Sequence, residues 1–124
     1  MALPVNQPVN VKYYNGTITS QGVTTGAHAA VCGRGTLIGA RVVQGGAHTV
    51  DATLSLLVNG VTVTNGTMTQ TASGSATGTV WSFTPSPTAV DVGDYMEIRR
   101  ASLGGTASTA VHCTFIVKET TIGG

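Results

Sequence analysis

The sequence has few charged residues. Asp, Glu, Lys and Arg make up 9% of its 124 residues, whereas about 25% is usual in soluble domains. The formal net charge is +1. Phosphate binding needs clustered lysine and arginine, so this composition argues against nucleic acid as a partner. The adjacent pair Arg99-Arg100 is interpreted as a solvated strand end.

Long apolar runs are also missing. No window of the sequence approaches the length of a membrane helix, so we expect no membrane partner. The first residues, Met1 to Pro4, lack the basic start and the continuous apolar run of a signal peptide. We therefore expect the protein to be made in the cytoplasm and to stay soluble until it is used.

Metal-ligand patterns are weak. His28 and Cys32 lie four residues apart on one strand face, but His112 and Cys113 are adjacent and point to opposite faces of a strand. Zinc ligands come in tight pairs with fixed spacing, so we expect no metal and no cofactor. Both cysteines lie in apolar strand-like runs, which is typical of buried free thiols.

Catalytic patterns are missing as well. The sequence has no G-x-S-x-G motif, and Ser73-Gly74-Ser75 has no evident base beside it. A glycosidase needs two acids in an aromatic-lined cleft, and the six aromatic residues make a thin sugar platform. A lone tryptophan in an alternating strand, Trp81, is interpreted as a core residue. We expect a binding protein and not an enzyme.

Glycine, threonine and valine take the place of the missing charges. Threonine and valine are β-branched and pack well on a pleated sheet. From residue 27 onward, strand patterns alternate with turn signals every 8 to 12 residues, which predicts an antiparallel β-sandwich of about eight strands. The predicted strands are 27–32, 36–44, 48–58, 61–64, a short strand after 67, 79–84, a segment around Val90, 95–100 and 107–119.

The clearest alternation lies between His48 and Val58. Its apolar face carries Val50, Ala52, Leu54, Leu56 and Val58, and its polar face carries Asp51, Thr53 and Ser55. This period of two predicts a half-buried strand. Asn59-Gly60 then predicts a type I′ hairpin, and Asn65-Gly66 is a second turn signal of the same kind.

Residues 1–26 differ from the rest. Pro4 and Pro8 favour extended backbone, and a short strand from Val9 to Tyr14 is predicted to end at the turn Asn15-Gly16. We predict two parts, an extended N-terminal arm over 1–26 and a β-sandwich domain over 27–124. An arm that does not bury itself packs on a partner. The candidate contact residues are Leu3, Pro4, Val5, Pro8, Val9, Tyr13 and Tyr14.

Three segments carry a resemblance to a known group of proteins. They are TLIGARVV at 36–43, LLVNGVTV at 56–63 and VDVGDYMEI at 90–98. Over residues 27–119 the chain resembles small jelly-roll structural proteins of tailed bacteriophages, which include capsid decoration (cement) proteins and head-like fibre modules.

The resemblance implies a jelly-roll-like fold and a protein of the virion. Such a protein is made in the host cytoplasm, binds the outer capsid surface as a homo-oligomer (a dimer or a trimer), and stabilises the lattice of the major capsid protein. A jelly roll would also pair the first and last strands of the domain. Cys32 and Cys113 would then be close together. The sequence is therefore compatible with a disulfide between them and also with two free thiols.

Two other functions compete with capsid decoration. The first is a tail or fibre module that recognises a host surface glycan or protein, through the exposed loop 67–78 with Trp81 nearby. The second is a cellular adhesive domain, which the missing signal peptide disfavours. If the arm carries attachment, deleting residues 2–22 is expected to abolish capsid binding and to leave the domain folded.

Overall fold

A computed structural model describes residues 11–18, 24–45, 51–71, 78–102 and 111–119. These residues form nine β-strands, and every strand pairing is antiparallel. The strands are β1 (Val11–Ile18), β2 (Thr24–Ala30), β3 (Gly35–Gln44), β4 (Ala52–Val58), β5 (Val61–Gln70), β6 (Val80–Phe83), β7 (Thr88–Val90), β8 (Tyr95–Ser102) and β9 (Val111–Glu119). No helix that could cross a membrane occurs within these ranges.

The strands form two sheets that pack face to face. Sheet I has the order β1-β9-β3-β6, with β7 also paired to β3, and sheet II has the order β2-β8-β4-β5. This is the interleaved order of a jelly roll, in which two Greek keys fold into two sheets. The predicted all-β, jelly-roll-like sandwich is confirmed.

Strands β6 and β7 share one position in sheet I. β6 pairs with residues 40–43 of β3, and β7 pairs with residues 35–37 of the same strand. Pro85 and Pro87 lie between them, and proline has no N–H group to donate to a ladder. The nine strands therefore occupy the eight positions of the jelly roll.

The core lies between the sheets and follows the predicted alternation. On β9 the inward residues Val111, Cys113, Phe115 and Val117 are all buried, as are Met96 and Ile98 on β8. Other members of the buried cluster are Ile18, Ala27, Val31, Leu37, Ala40, Val42, Leu54, Leu56, Val63, Phe83 and Val90. Burial of one large side chain of this kind contributes roughly 1.5–3 kcal/mol.

Strand β1 corrects the prediction of a turn at Asn15-Gly16. The strand runs through both residues and pairs with β9 along its whole length, from Val11 opposite Lys118 to Ile18 opposite Val111. Neither residue has a positive φ. A Cβ atom on Gly16 would lie 3.2 Å from the Cβ of Ala27 on β2, so this glycine allows β1 to approach the other sheet closely.

Residues 11–18 of the predicted arm thus form a strand of sheet I, and residues 24–26 begin a strand of sheet II. β2 begins at Thr24, three residues before the predicted start of the sandwich domain at 27. Residues 1–10 and 19–23 lie outside the described residues. A role of residues 1–26 in attachment stays a prediction.

The β4–β5 hairpin forms as predicted, with positive φ at Asn59 (51°) and Gly60 (83°). The second signal, Asn65-Gly66, does not end a strand, which corrects the predicted strand 61–64. It forms a bulge inside β5, where the register with β4 shifts, and Asn65 has φ 60°. On β4, Ala52, Leu54 and Leu56 are buried as predicted, and residues 46–50 lie outside the described residues.

The prediction of buried free thiols is confirmed for Cys113 and wrong for Cys32, which is free but exposed after the end of β2. The prediction of a solvated Arg99-Arg100 pair is wrong for Arg100. Arg100 is not solvated, because β8 continues its alternation past Ile98 and turns Arg100 inward at 0% exposure. Burial lowers the pKa of Arg100 from its ordinary value.

Candidate functional site

The candidate site lies on the outer face of sheet I. β1, β9 and β3 lie side by side, and alternation turns every second residue of each strand away from the core. Tyr13 is the most exposed aromatic side chain on this face, at 63%. It lies directly opposite Ile116 of β9.

A row of polar side chains crosses this face at right angles to the strands. Asn15 of β1 lies opposite Thr114 of β9, Thr114 lies opposite Arg41 of β3, and Arg41 lies opposite Ser82 of β6. The Thr114 hydroxyl and the Asn15 Oδ1 atom are 3.0 Å apart and form a hydrogen bond. We call these four residues the polar row. At about 4.8 Å between strands, the row spans roughly 14 Å.

A groove crosses the polar row at Thr114 and Arg41. It has a volume of about 300 Å³ and is lined by Tyr13, Arg41, Val43, Thr114 and Ile116. We call it the Tyr13 groove. It combines one aromatic ring, two aliphatic side chains, a hydroxyl and a guanidinium, and so offers apolar surface together with hydrogen-bond donors.

The charged side chains near the Tyr13 groove are positive. Arg41 and Lys118 face outward from β3 and β9, and His112 lies beside Thr17, with 3.4 Å between His112 Nδ1 and the Thr17 hydroxyl. No carboxylate lines the Tyr13 groove, and Asp91 lies at the other end of sheet I, after β7. Glu119 alternates to the inner side of β9, where its Oε2 lies 3.7 Å from Lys12 Nζ.

The other acidic residues lie elsewhere. The outer face of sheet II holds Glu97, which is 7% exposed and accepts two hydrogen bonds of 3.1 Å from Arg99. His28 Nε2 is 3.5 Å from the same carboxylate, and its ring lies 5.9 Å from that of Tyr95. These groups satisfy one another.

A second polar cluster ties two turns together at one end of the sandwich. Asn59 donates from Nδ2 to Asp94 Oδ1 (3.0 Å) and accepts at Oδ1 from the Tyr95 N–H (3.0 Å). The other Asp94 oxygen accepts from the Asp91 N–H at 2.9 Å. The Asn59 bond, followed by the Asp91 backbone bond, lowers the pKa of Asp94 below its ordinary value of 3.8. Asp91 also pairs with Arg34 at 3.4 Å. The cluster fixes the turns and leaves few groups for a ligand.

The residues proposed for partner contact are separated by the fold. Tyr13 is exposed on sheet I, but Tyr14 faces inward, and its hydroxyl accepts a hydrogen bond of 3.2 Å from the Cys32 N–H. Leu3, Pro4, Val5, Pro8 and Val9 lie outside the described residues. Their contact with a capsid stays a prediction.

The predicted glycan loop is also divided. Residues 67–70 belong to β5, and residues 72–77 lie outside the described residues. Trp81 is partly buried, packs against the core and donates from Nε1 to Gln44 Oε1. The interpretation of Trp81 as a core residue is confirmed, and its ring is not an exposed platform.

Arg41 was not among the contact residues predicted from the sequence. The signal is present, because alternation along 36–44 places Arg41 on the face opposite to Ala40 and Val42. What the sequence lacks is the identity of the neighbouring strands. Tyr13 and Arg41 meet because β9, from the end of the chain, lies between β1 and β3.

Comparisons with known proteins bear on the fold. No protein-family model matches the sequence, and no curated protein matches it. A family 35 carbohydrate-binding module from Clostridium thermocellum matches with 14% identity over 89% of this chain and 92% of that chain, at a TM-score of 0.51. A CBM35 from Paenibacillus barcinonensis matches with 15% identity over 85% of this chain and 97% of that chain, at 0.50.

A third solved structure contains the same fold within a larger protein. The catalytic domain of a GH87 alpha-1,3-glucanase, in complex with tetrasaccharides, matches with 10% identity and a TM-score of 0.50. The match covers 85% of this chain but 22% of that chain. At these identities the three likenesses show a shared jelly-roll sandwich.

Proposed function

We propose that this protein is a glycan-binding β-sandwich module and that the Tyr13 groove holds the saccharide. The observation that carries the proposal is the exposed Tyr13 ring beside Arg41 and Thr114 in one groove. A pyranose ring presents C–H groups on its faces and hydroxyls on its rim. The C–H groups pack on an aromatic face, and the hydroxyls exchange hydrogen bonds with planar and hydroxyl side chains.

The shape of the face supports this proposal. The polar row spans roughly 14 Å at the usual strand spacing, which suits two or three linked sugar rings. Apolar side chains flank the row on both sides, with Tyr13 and Ile116 on one side and Val43 and Val80 on the other. The fold is also used by proteins named as carbohydrate-binding modules.

This function agrees with the glycan-recognition alternative from the sequence analysis. The proposed binding site, however, lies on the outer face of sheet I and not in the loop 67–78. The proposal assigns the protein a binding role and not a catalytic one. Capsid decoration and the homo-oligomer stay predictions, since the solved structures named above are carbohydrate-binding modules and a glucanase domain.

A glycan array, followed by affinity electrophoresis in the best polysaccharide, tests this function. We expect wild-type protein to bind at least one glycan, and Tyr13→Ala to weaken that binding by about tenfold or more, which is about 1.4 kcal/mol. Tyr95→Ala is the matched control, because Tyr95 is a partly exposed tyrosine on the opposite sheet. Binding that Tyr13→Ala leaves unchanged, or a folded wild-type protein that binds no glycan, would overturn the proposal.

A further inference from the structure

The charges around the Tyr13 groove indicate which saccharides it selects. Arg41 is exposed on β3, and within the described ranges no carboxylate pairs with its guanidinium. The exposed Arg34 is bound to Asp91, and Arg99 is bound to Glu97. Arg41 therefore has its planar set of donors available at the groove.

The Tyr13 groove is lined by no acidic residue that would repel an anion. Lys118, which faces outward on β9, adds a second positive charge. Of the described acidic residues, Glu119 lies on the inner side of β9 and Glu97 lies on sheet II. Asp91 lies at the far end of sheet I, after β7, where it pairs with Arg34 in a separate groove. In a protein with so few charges, this distribution makes the Tyr13 groove a surface that attracts anions.

We infer that the Tyr13 groove selects an acidic saccharide, whose carboxylate or sulfate group is bound by Arg41. This inference rests on the glycan-binding function proposed above. A guanidinium binds a carboxylate or a sulfate through two parallel, charge-assisted hydrogen bonds. A guanidinium is also more weakly hydrated than an ammonium group, so its binding to the sugar costs less hydration free energy.

The placement of the two side chains fits a short acidic oligosaccharide. Tyr13 on β1 and Arg41 on β3 are separated by β9, a distance of roughly 10 Å across the strands at the usual spacing. One sugar ring can stack on Tyr13 while the acidic group of the same or the next sugar reaches Arg41. Thr114 lies between them and can bond to the hydroxyls.

The test compares matched acidic and neutral ligands. Titration calorimetry is run with an oligogalacturonate and with the same oligosaccharide after reduction of its carboxyl groups. Dextran sulfate and dextran form a second pair, which distinguishes a sulfate from a carboxylate. We expect at least tenfold tighter binding to the acidic member of one pair, and a weakening of that preference as salt is raised.

Two variants locate the effect. Arg41→Gln should abolish the preference for the acidic ligand, and Arg41→Lys should keep part of it, because a lysine retains the charge but not the paired donors. Arg34→Gln is the matched control and should leave the preference intact, since Arg34 lies in another groove beside Asp91.

Each result separates the two proposals. Equal binding of both members of each pair, or a preference that survives Arg41→Gln, would overturn the inference and leave glycan binding standing. If the folded protein binds none of these probes and no glycan on the array, both proposals fail. Neutral glycans bound on the array, with no acidic probe bound, would again contradict this inference alone.

Discussion

The two cysteines differ in exposure and in reactivity because their structural surroundings differ. Cys113 is 1% exposed on β9, between β1 and β3, and burial raises the pKa of its thiol to about 12. Cys32 is exposed just after β2. The thiolate is the reactive form, so the fold protects Cys113 twice, by excluding reagents and by keeping the thiol protonated.

This difference predicts a labelling pattern. Native protein treated with a thiol reagent at neutral pH should take up one label, at Cys32, and a second label should appear only in denaturant. Mass spectrometry after proteolysis would locate each label. Cys32→Ser should remove the native labelling completely, and rapid labelling of Cys113 in the folded protein would contradict the prediction.

At the scale of elements, the three Asn-Gly pairs show what sequence patterns predict. Asn59-Gly60 forms the predicted hairpin, Asn65-Gly66 forms a bulge, and Asn15-Gly16 continues a strand. Asn-Gly permits a positive φ at low cost but does not require one. Pairing with the neighbouring strand determines whether an Asn-Gly pair forms a turn, a bulge or extended strand. Neighbouring strands such as β1 and β9 are distant in sequence, so the sequence pattern alone does not identify them.

The Gly66 bulge carries a specific stability prediction. A Cβ atom on Gly66 would lie 2.5 Å from Val63 Cγ2, 2.9 Å from the Val63 oxygen and 3.0 Å from the Leu56 oxygen. Backbone atoms cannot move away cheaply, so Gly66→Ala should lower the free energy of unfolding by about 1–3 kcal/mol, as measured by urea denaturation.

Gly39→Ala is the control for this substitution. Its added Cβ would meet the Phe83 oxygen at 3.5 Å and Ile116 Cδ1 at 3.6 Å, which are ordinary contacts. The free energy of unfolding should therefore change little. Equal effects of the two substitutions would show that the bulge is not tightly packed.

Other elements follow from the sequence more directly. The strands β3, β6, β8 and β9 were predicted from alternation, because one face of each packs on the core. The burial of Arg100 was not predicted, because the charge of an arginine favours contact with solvent when that residue is considered alone. It lies inward because it continues the alternation of Met96 and Ile98. The candidate site combines strands from both ends of the chain, so its residues could be predicted to be exposed but not to be adjacent.

At the scale of the whole molecule, the structure changes what a truncation should do. β1 pairs with β9 along its length, and Ile18 at its end is 1% exposed in the core. Deleting residues 2–18 should therefore abolish cooperative unfolding, because the lost burial and hydrogen bonds are large against a total stability of about 5–15 kcal/mol. Deleting residues 2–10 removes no described strand and should preserve the transition.

Circular dichroism and urea denaturation of both truncated proteins would check this expectation. The shorter deletion also tests attachment by residues 2–10 of the predicted arm, and it keeps every described strand in the chain. A protein lacking residues 2–18 that unfolds at the same urea concentration as the full chain would show that β1 is dispensable.

The pairing of β1 with β9 also determines how the sandwich responds to force. Val11 at the start of β1 lies opposite Lys118 near the end of β9, so the chain enters and leaves the described fold side by side. A load that pulls these two points apart acts on the hydrogen bonds of the ladder one pair after another, beginning at Val11. The strands would peel apart like a zipper, whereas a load along the strands would strain all the bonds together. Mechanical resistance in this molecule should therefore depend on direction, and it should be lower when Val11 and Lys118 are pulled apart than when the load runs along the strands.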